Sequence, residues 1–290
     1  MHRFHPIRRK GPHPVMRQQV YEAEGIATEF LTFPSLNATG IVDHFFSTRV
    51  GGHSTGDCAE MNFNFYREAD ARAVAANYRR AAAILGGGRT SSDFVITRQT
   101  HSDHIRRVTA ADRGQGVTRP ANYNAVDALI TNVPGIILTV YTADCVPVYL
   151  VDPAHRAIGL AHSGWRGTVA KITAKTLAAM HAAYGTNAAD CVCAIGPSIC
   201  RDCYEISEDV ADAFRKAFGP AAKSLLTPTR PGHCLLDLWA AGRLILEDAG
   251  VPSAAIAVTD ICTRCNPELL FSHRAAGERR GNCCAFLSLK

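Results

Sequence analysis

Ile136-Ile137-Leu138-Thr139-Val140-Tyr141, then Val146-Pro147-Val148-Tyr149-Leu150-Val151, then Ala157-Ile158-Gly159-Leu160-Ala161 decide the fold class. These are three apolar, β-branched-rich runs of strand length, separated only by short polar breaks, and they read as consecutive strands. Ala128 to Thr131 is a fourth such run just upstream. Working outward, Ile41 to Ser47, Phe94 to Thr97, Cys191 to Ile195, Ile256 to Asp260 and Cys284 to Leu289 have the same character.

Helical spacing appears between these runs. Ala69 to Leu85 places Val74, Tyr78, Ala81, Ala82 and Leu85 on one face and ends at Gly86-Gly87-Gly88. Val169 to Tyr184 packs through Ile172, Leu177 and Met180. Ser207 to Phe218 has Ser207 as its N-cap. Leu236 to Ala249 is closed by Gly250. Asp103 to Tyr123 reads as mostly loop, with a strand near Ile105 to Val108. Strands and helices interleave, yet several strands follow one another directly. That predicts an α/β fold of mixed sheets with helices outside. No internal repeat is visible. The simplest division is a basic N-terminal extension, 1–37, partly flexible, and a single compact domain, 38–290.

Composition narrows the function classes. The 290 residues are 47% hydrophobic and 20% charged, ordinary for a globular protein. No apolar run of about 18 residues is present, so no membrane span is expected. The net charge of +5 belongs to the first 17 residues: Arg3, Arg8, Arg9, Lys10 and Arg17 stand there without an acid. Of 31 Lys and Arg, the other 26 balance 26 Asp and Glu, so no nucleic-acid surface is expected. Pro6, Pro12 and Pro14 work against a helical presequence, and the leader reads as a disordered tail. The 11 cysteines, odd in number and dispersed, point to a reducing cytoplasm.

The candidate chemistry lies at the ends of the apolar runs. Cys145 sits in Thr142-Ala143-Asp144-Cys145, His162 in Ala161-His162-Ser163-Gly164, and His101 in Gln99-Thr100-His101-Ser102. Two imidazoles and a thiolate would make a three-ligand zinc site with a fourth position free for water. The intervals between them match no short metal motif, so a buried structural Cys with satisfied histidines stays open. Asp144 would orient a ligating His, or cap a loop. Arg166, in Gly164-Trp165-Arg166-Gly167-Thr168, is a fork-shaped donor at a helix start, suited to phosphate. Arg49, beside Gly51 and Gly52, is followed by Asn62 and Asn64, whose amides suit ribose or base edges, or plain turns. Phe271-Ser272-His273-Arg274 and Arg279-Arg280-Gly281 form a further cationic cluster. Cys200/Cys203 and Cys262/Cys265 are two CxxC pairs; a second zinc, a disulfide or neither is open.

Together Phe46-Ser47-Thr48-Arg49-Val50-Gly51-Gly52, Gln99-Thr100-His101, Asp127-Ala128-Leu129-Ile130-Thr131, Thr142 to Val148, Ala161 to Thr168, Ile195-Gly196-Pro197-Ser198-Ile199 and Phe271 to Arg274 resemble the YfiH/YlmD-type family, historically labelled laccase-domain or multicopper polyphenol oxidase proteins. The resemblance covers Val42 to Leu289. It implies a layered α-β-β-α sandwich and one catalytic Zn2+ on His101, Cys145 and His162. It also implies purine nucleoside chemistry: phosphorolysis of adenosine, inosine, guanosine and methylthioadenosine, with inorganic phosphate as co-substrate, and deamination of adenosine. Arg49, Asn62, Arg166 and Arg274 would then hold phosphate or nucleoside. Two positions depart from the family: Ser102 stands where Gly is common, and Gly242 where a helix asparagine is expected.

Three readings compete. A copper oxidase needs about ten His ligands in HxH and HCH patterns; the 12 histidines here include no HxH, and three lie in the leader. A cysteine hydrolase would use Cys145 as nucleophile and His162 as base, on an amide or peptidoglycan precursor. A partner-binding protein would need no open metal position.

Overall fold

A computed structural model describes residues 2–290, and its strands fall into three sheets. In chain order they are β1 (Arg17–Ala23), β2 (Ile26–Thr32), β3 (Val42–Ser47), β4 (Phe94–Ile96), β5 (Ile105–Arg107), β6 (Ala128–Thr131), β7 (Ile137–Thr142) and β8 (Val146–Asp152). They continue as β9 (Ala157–Ser163), β10 (Val192–Ile195), β11 (Glu205–Ser207), β12 (Leu226–Pro228), β13 (His233–Leu236), β14 (Ile256–Val258) and β15 (Cys283–Leu289). The first sheet runs β1-β2-β3-β15-β7-β4, the second β14-β10-β8-β9-β6-β5, and a small third β11-β13-β12. Both large sheets are mixed: β4 lies parallel to β7, and β5 to β6, among antiparallel neighbours.

Burial explains why the central runs are apolar throughout instead of alternating. Leu138 and Val140 of β7, with Cys283, Ala285 and Leu287 of β15, face the second sheet, where Tyr149, Val151, Ile158 and Leu160 meet them. On the opposite face of the first sheet, Ile137, Phe286, Phe45 and Phe94 pack with Val74, Tyr78 and Ala81 of helix α2 (Ala71–Leu85), which follows the short α1 (Pro34–Asn37). On the outer face of the second sheet, Val146, Val148, Leu150 and Ile195 pack with three helices. The order is helix, sheet, sheet, helix, as expected. Strands covered on both faces lose the polar half of the period-2 pattern.

Those outer helices follow the short α3 (Trp165–Val169): α4 (Ile172–Tyr184), α5 (Glu208–Phe218) and α7 (Leu238–Asp248), with α6 (Ala222–Leu225) between the last two. The helix expected over Val169 to Tyr184 is therefore broken. Lys171 adopts a left-handed conformation (φ 59°) and turns the chain between α3 and α4. Asp70 caps α2 by accepting from the Arg72 N–H, and Asp237 caps α7 by accepting from the Ala240 N–H. No helix among the described residues is long and apolar enough to cross a membrane.

The N-terminal segment differs from the expected free tail. β1 and β2 form a hairpin, and Phe30 and Leu31 pair with Ser47 and Phe46 of β3. Ahead of the hairpin, Arg9 is ion-paired to Asp260 at 2.6 Å and Lys10 to Asp202 at 2.9 Å, and the Arg8 N–H donates to Asn266 at 2.7 Å. Two of the leader's five basic side chains, Arg9 and Lys10, are thus paired with acids far along the chain. β1 is an edge strand of largely half-buried residues, so it carries no apolar run that would mark it in the sequence.

Candidate active site

Three chain reversals at one end of the sandwich bring His101, Cys145 and His162 together. His162 is near the end of β9, Cys145 is in the β7–β8 turn, and His101 is in the loop after β4. One ligand atom from each lies within 4.8 Å of the others, and His101 Nε2 stands 3.7 Å from Cys145 Sγ. A tetrahedral zinc with ordinary bond lengths separates sulfur and nitrogen ligands by about 3.6 Å. Gly164 leaves the space beside them: a Cβ there would stand 2.7 Å from His101 Cδ2 and 3.2 Å from Cys145 Sγ. Donor types, spacing and this cleared volume fit a metal ion. His162 is buried and His101 exposed, so one side of the cluster is open.

Asp127, at the head of β6, holds the His162 imidazole and the backbone that carries His101. Its Oδ1 accepts from His162 Nδ1 at 2.8 Å, which leaves Nε2 as the ligand atom. It also accepts from the backbone N–H groups of Thr100, His101 and Ser102 and from the Ser102 hydroxyl. These bonds keep His101 in the left-handed conformation (φ 61°), a strained arrangement for a residue with a Cβ. Burial pushes the Asp127 carboxyl up, but its hydrogen bonds to His162 and Ser102 outweigh that and hold it down near 2. Ser102 thus contributes through its hydroxyl, which donates to Asp127 at 2.7 Å.

The orienting role expected of Asp144 belongs to Asp127. Asp144 (φ 88°) instead ties loops together: it accepts from the Thr263 hydroxyl at 2.5 Å, the Arg274 N–H at 2.6 Å and the Ile199 N–H at 3.0 Å. That fixes the turn presenting Cys145. Burial raises the Cys145 thiol, but the neighbouring charge of His162 and hydrogen bonds from both histidines outweigh it, bringing it to about 6. Burial likewise lowers His162, and Cys145 with Asp127 reverses this, lifting it to about 9.

The cluster lies where two cavities meet. One, of about 410 Å³, is lined by Asn64, Arg67, Gln99, Asn124, Arg280 and Asn282 among others. The second, about 360 Å³, has more aromatic and apolar walls, including Trp165, Ile199, Tyr204 and Leu238, together with Arg274. His101, Cys145, Arg67 and Arg280 line both.

The other sequence candidates divide. Arg274 lines the second cavity, stacked over Tyr204 at 5.1 Å, and donates to the Glu205 carbonyl. Arg166 is exposed on α3, over the Trp165 ring at 4.2 Å, outside both linings. Arg49 lines neither cavity. Its guanidinium donates to the carbonyls of Ala59 and Pro267 and faces a separate depression beside Asp57 and Phe271. Asn62 is fully buried and does turn work: its Oδ1 accepts from the N–H groups of Asn64 and Asn282, and those two asparagines reach the cavity in its place. Arg280, in the sequence only one member of a cationic cluster, lines both cavities; it is 8% exposed, and its buried Nε has no partner.

Residues 43–290 match the family described as multi-copper polyphenol oxidoreductase laccase. A protein named purine nucleoside phosphorylase, from Bacteroides thetaiotaomicron, is 36% identical over 252 residues, 87% of this chain and 93% of that protein. One named adenosine deaminase RL5, from an unknown prokaryotic organism, is 38% identical over 190 residues, covering 65% and 72% of the two chains. The crystal structure of YlmD from Geobacillus stearothermophilus superposes with a TM-score of 0.85 at 33% identity, over 96% of this chain and all of that one. This chain therefore belongs to the laccase-domain family that includes YlmD.

Proposed function

We propose that this chain is a zinc-dependent purine nucleoside enzyme of the cytoplasm, acting on small-molecule nucleosides. It phosphorolyses adenosine, inosine, guanosine and methylthioadenosine and deaminates adenosine. The observation that carries this reading is the convergence of His101, Cys145 and His162 at the junction of two cavities flanked by guanidinium groups. The names of the relatives support the substrate class.

His101, Cys145 and His162 would hold the zinc, which supplies Lewis acidity and an acidified bound water. The chain's own groups do the rest. Arg67 and Arg280 bind phosphate at the cavity junction, where the unpartnered Arg280 Nε needs an acceptor. Trp165, Ile199, Tyr204 and Leu238 exclude water and pack against the flat base. A phosphate oxygen then attacks the anomeric carbon as the glycosidic bond breaks and its electron pair passes to the base. Fixed cations near the phosphate and donors near the base meet both developing charges. Against a multicopper centre, only two of the twelve histidines, His101 and His162, belong to a cluster of three or more close donor side chains among the described residues.

The hydrolase reading keeps one supporting observation, the acidified Cys145 thiol beside a basic His162. Incubation of metal-analysed protein with adenosine and inosine, with and without phosphate, separates the activities. Free base with sugar 1-phosphate, formed only when phosphate is present, is the expected result, together with inosine from adenosine. Absence of both products overturns the proposal.

A further inference from the structure

The two CxxC pairs meet on the side of the second sheet facing its outer helices. Cys200 and Cys203 flank the turn after β10, and Cys262 and Cys265 the turn after β14, the parallel neighbour of β10. All four sulfurs lie within 4.8 Å of one another, and Cys203 and Cys265 approach to 3.5 Å. A tetrahedral tetrathiolate zinc sets its sulfurs about 3.8 Å apart. Clusters of two or more irons spread thiolates over separate metals and need a wider frame.

We propose that Cys200, Cys203, Cys262 and Cys265 form a second, structural zinc site, closed to substrate and independent of the nucleoside reading.

Backbone and charge around the sulfurs suit thiolates. The Cys200 N–H donates to Cys262 Sγ at 3.3 Å, and the Cys203 N–H closes the first turn on the Cys200 carbonyl at 3.0 Å. Two cations stand nearby: Arg264 reaches Cys203, and Lys10, brought in by the N-terminal leader, lies beside Cys200 and Cys265. Cys200 and Cys262 are buried in the core, while Cys203 and Cys265 are half-buried, so no open position faces either cavity.

The site would lock two segments that position the catalytic turn. Ile199, next to Cys200, donates its N–H to the Asp144 carbonyl, and Thr263, next to Cys262, donates its hydroxyl to the Asp144 carboxylate. The ion would clamp both partners of the residue that precedes Cys145. It would also complete the docking of the leader, whose Lys10 pairs with Asp202 between the first two cysteines.

The test is metal analysis of the full chain purified under reductant without chelator. About two zinc ions per chain are expected in the wild type, about one in His101→Ala/Cys145→Ser, and about one in Cys203→Ser/Cys265→Ser. If the cysteine variant does not fold, the His101→Ala/Cys145→Ser protein, with all four thiols intact, decides alone. Its cobalt-substituted form should show the intense sulfur-to-metal absorption of a tetrathiolate. A metal-free His101→Ala/Cys145→Ser protein overturns the proposal, as do peptides cross-linked through Cys200–Cys262 or Cys203–Cys265 in protein alkylated without reduction. If the wild type binds one ion and only the cysteine variant loses it, this site stands and the nucleoside reading's metal centre fails.

Discussion

The two donor clusters are built from similar parts and differ in what surrounds them. The four-cysteine group has four sulfurs and a backbone N–H donor, and it lines neither cavity of the other cluster. The His101/Cys145/His162 group has three donors, an exposed edge, and two cavities converging on it. The first would satisfy an ion completely, and the second would leave a side for something else. Whether a metal can take part in chemistry depends on that missing fourth donor.

The sharpest way to break the comparison is to remove the sulfur from the open cluster. Cys145→Ala should reduce nucleoside turnover on the order of 10³-fold or more, as expected when several kcal/mol of metal-derived stabilisation are lost. In metal-free protein the thermal midpoint should barely move, because the half-buried Cys145 lies outside the main core groups, whereas with zinc present the wild type alone should gain stability. Steady-state kinetics alongside calorimetry checks both halves.

A smaller effect tests the support beneath the ligands. Asp127→Asn keeps the side-chain shape but weakens the acceptor for His162 and for three backbone N–H groups. Metal affinity at the open cluster should fall by roughly 10- to 100-fold. Competition with a chromophoric chelator reads this directly, and affinity within a factor of about 2 of wild type would remove Asp127 from the positioning role.

The smallest effect contrasts two buried imidazoles. His162 has a carboxylate and a thiol beside it, whereas His44 lies between Phe33 and Tyr149 and accepts only the Phe33 N–H. Burial pushes His44 down to about 3. Between that value and its ordinary 6.5, the unfolded chain binds the proton and the folded chain does not. Stability is therefore fully present above 6.5 and falls as pH drops, by up to about 1.4 kcal/mol per pH unit. Urea melts at pH 6.5 and 5.5 should show that loss in the wild type and a flatter dependence in His44→Gln, whose amide oxygen can still accept from Phe33.

Much of this architecture is legible in the residues, for physical reasons. The central strands announce themselves because burial on both faces makes β7, β8 and β9 apolar throughout. His101, Cys145 and His162 stand out because each interrupts an apolar run at its end. Asp127 escapes notice because its work crosses 35 residues of chain to His162; its only local sign is an acid immediately before a buried strand. Arg49 and Asn62 lie in conspicuous motifs, but backbone carbonyls and N–H groups consume them. The equal interval of 62 residues between Cys200 and Cys262 and between Cys203 and Cys265 is a signal that spacing rules for short zinc ribbons pass over. Parallel pairing of β10 with β14 converts that interval into proximity.

The central claim is that Cys145 serves as a metal ligand in an open site. Alkylation of the native protein with iodoacetamide, followed by peptide mapping, tests it most directly. Zinc-loaded protein should leave Cys145 unmodified, and treatment with a chelator should expose it to rapid modification. Equal alkylation of Cys145 with zinc bound and with zinc removed would contradict the account and return the thiol to the role of a free nucleophile.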